Sequence, residues 1–203
     1  MKRYIIISFA ALFFASVSQA IDIPKGYVLQ LLEPTGGKIA RPKDWFYAEQ
    51  HHGPVYSWTI SHEDIKKGPY ETGFRIQCFV GVKEGTGKTP KEFCLSFLDS
   101  KQKTTRILSK FPEKEQYLFT RKGLEVEEDI KNEKGSQTFH IIYSVFWADG
   151  SDLVVITIAG SPVGSWPQFE KTFNVMNEFE LIDMKRFEKT EQDKSSVRGK
   201  PRR

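Results

Sequence analysis

The 203-residue chain is 39% hydrophobic and 13% aromatic, enough for one core-forming domain and too much for a disordered or fibrous chain. Its formal net charge of +4 is unevenly placed: Lys2 and Arg3 carry two positive charges and the stretch beyond residue 184 a net five, so residues 21–184 sit at −3. A mildly acidic body with a basic tail lacks the electrostatic footprint of a nucleic-acid-binding fold.

Residues 1–20 read as a secretory signal. Lys2 and Arg3 form its basic start, Tyr4 to Val17 its apolar core, and Ser18-Gln19-Ala20 a cleavage site with small residues at the first and third places. The apolar run is short for a membrane span and meets Asp22, Pro24 and Lys25 directly afterwards. The expectation is an exported protein, periplasmic or extracellular, with residues 21–184 as a single α+β domain and 185–203 as a disordered basic tail.

Tyr27 to Leu32 is the first strand, closed by the turn residues Glu33-Pro34-Thr35-Gly36-Gly37. After the turn Arg41-Pro42-Lys43-Asp44-Trp45, a strand from Phe46 pairs with Val55–Ser61 across His51-His52-Gly53-Pro54. Residues 63–73 form a polar loop. Phe74 to Val82 alternates as a strand, with Phe74, Ile76 and Cys78 on one side and Arg75, Gln77 and Phe79 on the other. A glycine-rich loop leads to Thr89-Pro90-Lys91-Glu92, a capping box with proline at the first helical position. The predicted helix runs to about Lys110 on a stripe of Cys94, Phe97, Leu98, Thr105 and Leu108, and Pro112 ends it. A hairpin over 115–130 comes next.

Phe139 to Ala159 is the dominant feature: two apolar runs joined at Ala148-Asp149-Gly150-Ser151. Both faces of each run are apolar, which places these strands mid-sheet with cover on either side. Ser165, with Gln168 three residues on, is expected to cap a last helix on Phe169, Phe173 and Met176, and Phe179 to Ile182 closes the fold. The sum is an α+β layout around a predominantly antiparallel sheet.

No constellation demands catalysis. Gly85-Thr86-Gly87-Lys88-Thr89 has the position of a phosphate-binding loop, but Val82 stands where that motif needs glycine, so no nucleotide is expected. Cys78 and Cys94 are the two cysteines; export favours a disulfide between them, the alternative being two buried free thiols. His51, His52 and His62 invite a metal, yet adjacent strand histidines point to opposite faces, so no metal or other cofactor is assigned. Glu125, Glu127, Glu128, Asp129 and Glu133 read as a solvated face. Among the aromatics, Trp45 and Trp58 are expected to be exposed enough to bind a partner. The basic tail offers a weak contact for anionic surfaces.

The leader, Arg41-Pro42-Lys43-Asp44-Trp45 before the first long strands, Gly73 before the next, the capped helix, the long hairpins and the terminal helix ending near Phe179 together resemble the PsbP-like superfamily. That superfamily embraces the extrinsic PsbP protein of photosystem II, a yeast Ran-binding transport factor and periplasmic DcrB-like proteins. The resemblance covers about 38–183. It implies an α/β/α sandwich and an accessory or binding role rather than catalysis, with no metal ligands to carry over. The reading is therefore an exported, non-enzymatic binding or accessory protein acting on an unidentified protein or envelope partner. The rival is a small hydrolase or metal-dependent enzyme built on His51, His52 and His62. An apolar-ligand carrier is a third option that requires a cavity.

Overall fold

The two-sided apolar runs build the centre of the molecule. A computed structural model of the chain describes residues 23–116, 119–132, 135–148 and 150–183; the stretches expected to be a leader and a basic tail, and Glu133, lie outside them. In chain order the elements are β1 (Tyr27–Leu32), β2 (Gly36–Pro42), β3 (Phe46–His52), β4 (Val55–Ser61), β5 (Gly73–Val80), a single helical turn α1 (Val82–Thr86), α2 (Pro90–Thr104), β6 (Arg106–Gln116), β7 (Phe119–Asn132), β8 (Gly135–Trp147), β9 (Leu153–Pro162), α3 (Trp166–Met176) and β10 (Glu180–Ile182). Strands β3-β4-β5-β9-β8-β7-β6 form a seven-stranded antiparallel sheet, and β1-β2-β10 form a small second sheet. The predicted hairpin β8–β9 is central, as its composition requires.

Each face of the large sheet has its own core. On the first face, α2 lays Cys94 and Leu98 over Val126, Tyr143, Val145, Val154 and Ile156. On the second, α3 and the small sheet cover Trp58, Phe74, Ile76, Cys78, Phe146 and Val155 with Leu32, Ile39, Phe173, Met176 and Leu181. The architecture is thus three layers, α+β, with the second outer layer part helix and part sheet. Paired strand residues share a face, so Cys78, Val155 and Phe146 align in one row on the second side.

The Thr89 capping box forms as the spacing predicts. Thr89 Oγ1 accepts the Glu92 N–H at 3.3 Å, and Glu92 Oε2 accepts the Thr89 N–H at 2.8 Å. Those Thr89 bonds hold the Glu92 carboxyl below its ordinary value. Thr89→Ala is expected to lower the unfolding free energy by about 1 kcal/mol, read as a reduced urea midpoint at constant slope.

Four expectations change. The helix ends at Thr104 rather than Lys110, because the Thr105 N–H and hydroxyl both bond the Lys101 carbonyl and close the last turn. Residues from Arg106 on form the edge strand β6, where Pro112 sits in an irregular stretch between Phe111 and Lys114. An edge strand tolerates the missing N–H. Strand β7 is one continuous element through 121–124, the place where the sequence suggests a hairpin turn. Ser165 stands at the N-cap of α3 but makes no capping bond; its hydroxyl donates back to the Pro162 carbonyl at 3.0 Å, ahead of a helix entered through a short 3-10 turn.

Finally, β2 is a strand that begins within residues carrying turn signals. Gly37 lies under β10, and a Cβ there would collide with the Leu181 and Glu180 carbonyls. The glycine that looks like a loop residue is what lets the closing strand approach.

Candidate functional site

The predicted site residues do not converge. Trp45 and Trp58, expected to be exposed, are 5% and 1% accessible. Trp45 packs edge-on against Phe169 and Phe173 at 5.7 and 6.1 Å. Trp58 donates its Nε1–H to the Glu33 carbonyl at 2.8 Å, tying the large sheet to the β1–β2 turn. Both amphipathic rings are spent on the core.

His51 lies against Tyr56 and Trp58, with Glu49 at 3.6 Å; His52, next on β3, is exposed. His62 lies beyond the far end of β4, beside Trp45 and Phe169. His51 pairs with Tyr56, so His62 is six residues further along, on the order of 20 Å at strand rise. Among the described residues no three His, Cys, Asp or Glu side chains cluster as a metal site would need. His51 and His62 are thus too far apart to share one site.

The expected disulfide is not formed. Cys78 and Cys94 are both free and buried, and they belong to the two cores on opposite faces of the sheet. The Cys94 thiol donates instead to the Phe146 carbonyl at 3.7 Å.

The carboxylates of β7 are half-buried or exposed, and each has a partner of its own. Glu125 bonds His140 at 2.8 Å, Glu127 pairs with Arg106, Asp129 accepts from Thr138 at 2.6 Å, and Glu128 takes both Lys101 Nζ and the Tyr143 hydroxyl. His140 also stacks on Trp166, ring centres 3.8 Å apart, which fixes the start of α3. No sequence motif marks that histidine.

What the structure offers in place of a catalytic cluster is a pair of apolar clefts, one on each face. The smaller, of about 370 Å³, lies between α3 and the β6–β7 wing and is lined by Phe74, Phe111, Ile142 and Phe173. Arg121 crosses it. Its guanidinium donates to Ser144 Oγ at 3.0 Å and, with the Asn177 amide turned oxygen-first, to that oxygen at 2.9 and 2.8 Å. It also lies over the Phe146 ring at 5.5 Å. These bonds make Arg121 a strut between β7 and α3.

The larger cleft, of about 820 Å³, opens on the first face where α2 does not reach. Its floor is Arg75 of β5, Ile158 of β9 and Phe139 and Ile141 of β8, Ile130 of β7 stands at its rim, and its wall is Ile65, Pro69, Tyr70 and Glu71 of the β4–β5 loop. Gly73 and Gly160 stand directly opposite each other across β5 and β9, and Ile141 pairs with Gly160 from the other side. The missing side chain at Gly160 leaves room that the Ile141 side chain takes, 3.2 Å from where a Cβ would stand. Gly73 also admits the Tyr70 ring, which a Cβ would strike.

The wall is held in place. The Glu63 carboxylate accepts the Glu71 and Thr72 N–H groups at 3.2 and 3.0 Å, and the His62 N–H bonds the Thr72 carbonyl at 2.9 Å. Burial raises the Tyr70 pKa above its ordinary value, and Arg75 only partly offsets this, so the phenol stays neutral. Arg75 lies 5.6 Å from the Tyr70 ring centre, and its Nε is buried with no hydrogen-bond partner among the described residues. Pockets of this size, mostly apolar with one or two polar groups, are the usual form of small-molecule sites.

No family model matches the chain. No curated protein sequence matches it either. Among solved structures it is similar to cyanobacterial PsbP from Synechocystis, at 10% identity over 76% of this chain and 91% of that one, with a TM-score of 0.46. It is similar also to the Saccharomyces cerevisiae Ran-binding protein Mog1p, at 12% identity over 78% and 97% of the two chains, TM-score 0.44. A third is LpqN, involved in cell envelope biogenesis of Mycobacterium tuberculosis, at 12% identity over 75% and 88%, TM-score 0.43. PsbP and a Ran-binding protein are among the proteins that the sequence layout resembles. No helix among the described residues is long and apolar enough to cross a membrane.

Proposed function

We propose that the chain is an exported, non-enzymatic binding protein that holds the apolar part of an envelope component in the cleft beside the β4–β5 loop. The observation that carries this reading is the 820 Å³ apolar hollow under a loop clamped at both ends. An open sheet face of this kind costs stability unless something occupies it, since apolar surface is left in water. The leader read from residues 1–20 supports export. What supports binding over catalysis is the separation of the titratable groups: each carboxylate of β7 and each of His51, His62 and His140 is engaged elsewhere, and none lines the cleft.

The test is a saturable fluorescence titration of the purified protein with the neutral apolar probe N-phenyl-1-naphthylamine. Ile130, at the rim and 39% exposed, gives the control because a lysine there can reach water without disturbing the core. The wild type is expected to bind one probe, and Ile130→Lys to weaken it by about tenfold or more. Absence of saturable binding by the folded wild type would overturn the cleft as a binding site.

A further inference from the structure

We infer that the smaller cleft, under α3, is a second binding site that takes a small aromatic molecule with one negative charge, held at Lys114 beside Arg121. The two cations stand directly opposite each other across β6 and β7, and both line the cleft. Side chains paired this way share a face, and like charges so placed repel. The sequence holds a remedy that the fold passes over. Phe111 pairs with Gly123, so unbroken pairing would set Glu113 opposite Arg121 as an ion pair. Instead β6 advances from Phe111 to Lys114 while β7 moves only from Gly123 to Arg121, a bulge of one extra residue. Lys114 thereby takes the place opposite Arg121, and Glu113 goes to Lys91 and Lys122 at 3.3 and 3.5 Å. Bulges re-aim side chains in this manner and are over-represented beside active sites.

No carboxylate lines this cleft among the described residues. Lys114 is exposed, and its Nζ has no partner among the described residues. The Arg121 guanidinium is bonded to Ser144 and Asn177, so Lys114 makes the direct contact with an arriving anion and Arg121 adds its charge from behind. Burial works against the Arg121 cation and lowers its pKa, a cost that an anion nearby reduces. Glu178, just past α3 and outside the lining, offsets part of the positive charge, which favours a head of one charge over two. The body of the ligand follows from the apolar surface it meets. Half-buried Phe111 and Ile142 and exposed Pro112 supply that surface, with Phe74 and Phe173 buried behind them. The Phe111 ring lies against Gly123, where a Cβ would come within 3.0 Å of it. Flat neighbours of this kind are covered better by a ring than by a flexible chain. A volume of about 370 Å³ falls at the lower end of the range for small-molecule sites.

The experiment sets 8-anilinonaphthalene-1-sulfonate, an aromatic monoanion, beside N-phenyl-1-naphthylamine, which has the same rings without the sulfonate. The folded wild type is expected to bind the anionic probe saturably, and Lys114→Glu to weaken it by about tenfold or more while the neutral probe binds as before. Lys114→Glu supplies the ion pair that the bulge forgoes, so its urea midpoint is expected not to fall, and loss of the probe is then not loss of the fold. Ile130→Lys, at the larger cleft, is expected to leave the anionic probe unchanged. Naphthalene-1-sulfonate is expected to displace that probe at about tenfold lower concentration than hexane-1-sulfonate. Absence of saturable binding by the wild type would overturn the site. So would binding that survives Lys114→Glu, or that falls with Ile130→Lys instead, since the anion would then be held elsewhere. Equal displacement by the two sulfonates would overturn the aromatic body and leave the anion site standing. Failure of the neutral probe alone would count against the larger cleft and not against this one.

Discussion

Trp58→Ala is expected to lower the unfolding free energy by about 3–5 kcal/mol, the top of the range for a single core truncation. Trp58 is almost wholly enclosed on the second face of the sheet, in the row it shares with Ile76, so its removal leaves a void that the flanking strands cannot close. The loss goes beyond volume. The indole N–H bonded to the Glu33 carbonyl at 2.8 Å joins the seven-stranded sheet to the turn between β1 and β2. Trp58→Phe separates the two contributions, because it keeps most of the buried area and removes the donor, and a cost of about 1–2 kcal/mol is expected. Urea unfolding measures both, as a shift in midpoint at unchanged slope. If Trp58→Phe costs as much as Trp58→Ala, the bond and not the packing holds the small sheet. If neither variant costs more than about 1 kcal/mol, the indole does not anchor the core of the second face.

How much of the molecule is legible in the sequence depends on whether the deciding interaction is local. Strands β8 and β9 are readable because cover on both faces writes itself into an unbroken apolar run. The Thr89 cap is readable because hydroxyl, proline and glutamate act within four residues. The segment after Thr104 is not. Arg106 to Gln116 carries lysines and a proline that suit a helix end as well as an edge strand, and pairing with β7 decides it. The disulfide expectation fails for a related reason. Compartment and inward-facing character argue for pairing, but each cysteine faces a different layer, and which layer covers which face is a tertiary fact. The cleft is hidden most thoroughly. Arg75 reads as an ordinary polar residue in an alternating strand, and Gly73 and Gly160 meet only because β5 and β9 are neighbours. Trp45 and Trp58 mislead in the opposite sense: their closeness to loops suggests exposure, while the layer formed by α3 and the small sheet encloses them.

The second large effect is a loss of stability in alkali. Burial pushes the Cys78 and Cys94 thiols from 9.0 up to about 12. Below pH 9 the folded and unfolded chains both keep these protons, so pH has no leverage through them. Between 9 and about 12 the unfolded chain releases protons that the folded chain retains, and stability falls as pH rises. Each thiol contributes a slope of up to about 1.4 kcal/mol per pH unit. Two thiols, each raised from 9.0 to about 12, together remove on the order of 8 kcal/mol by about pH 12, a large share of an ordinary domain stability of about 5–15 kcal/mol. Tyr143 adds to the trend above its ordinary value of 10.0: burial first, then its bond to the Glu128 carboxylate, raises its pKa, so it too stays protonated only when folded. The measurement is the unfolding free energy from urea titrations between pH 8 and 9.5, below the range in which Tyr47, Tyr70 and Tyr143 of the unfolded chain mostly ionise. The wild type should lose stability with a slope that Cys78→Ala and Cys94→Ala each roughly halve and that the double variant nearly abolishes. Each alanine also costs some stability at neutral pH by leaving a small void, but that offset is constant with pH and leaves the slope as the readout. A slope untouched by either substitution would show that the thiols are not the groups whose burial the fold depends on. A slope halved by Cys94→Ala alone would point to the Cys94 bond with the Phe146 carbonyl, which only the protonated thiol can make.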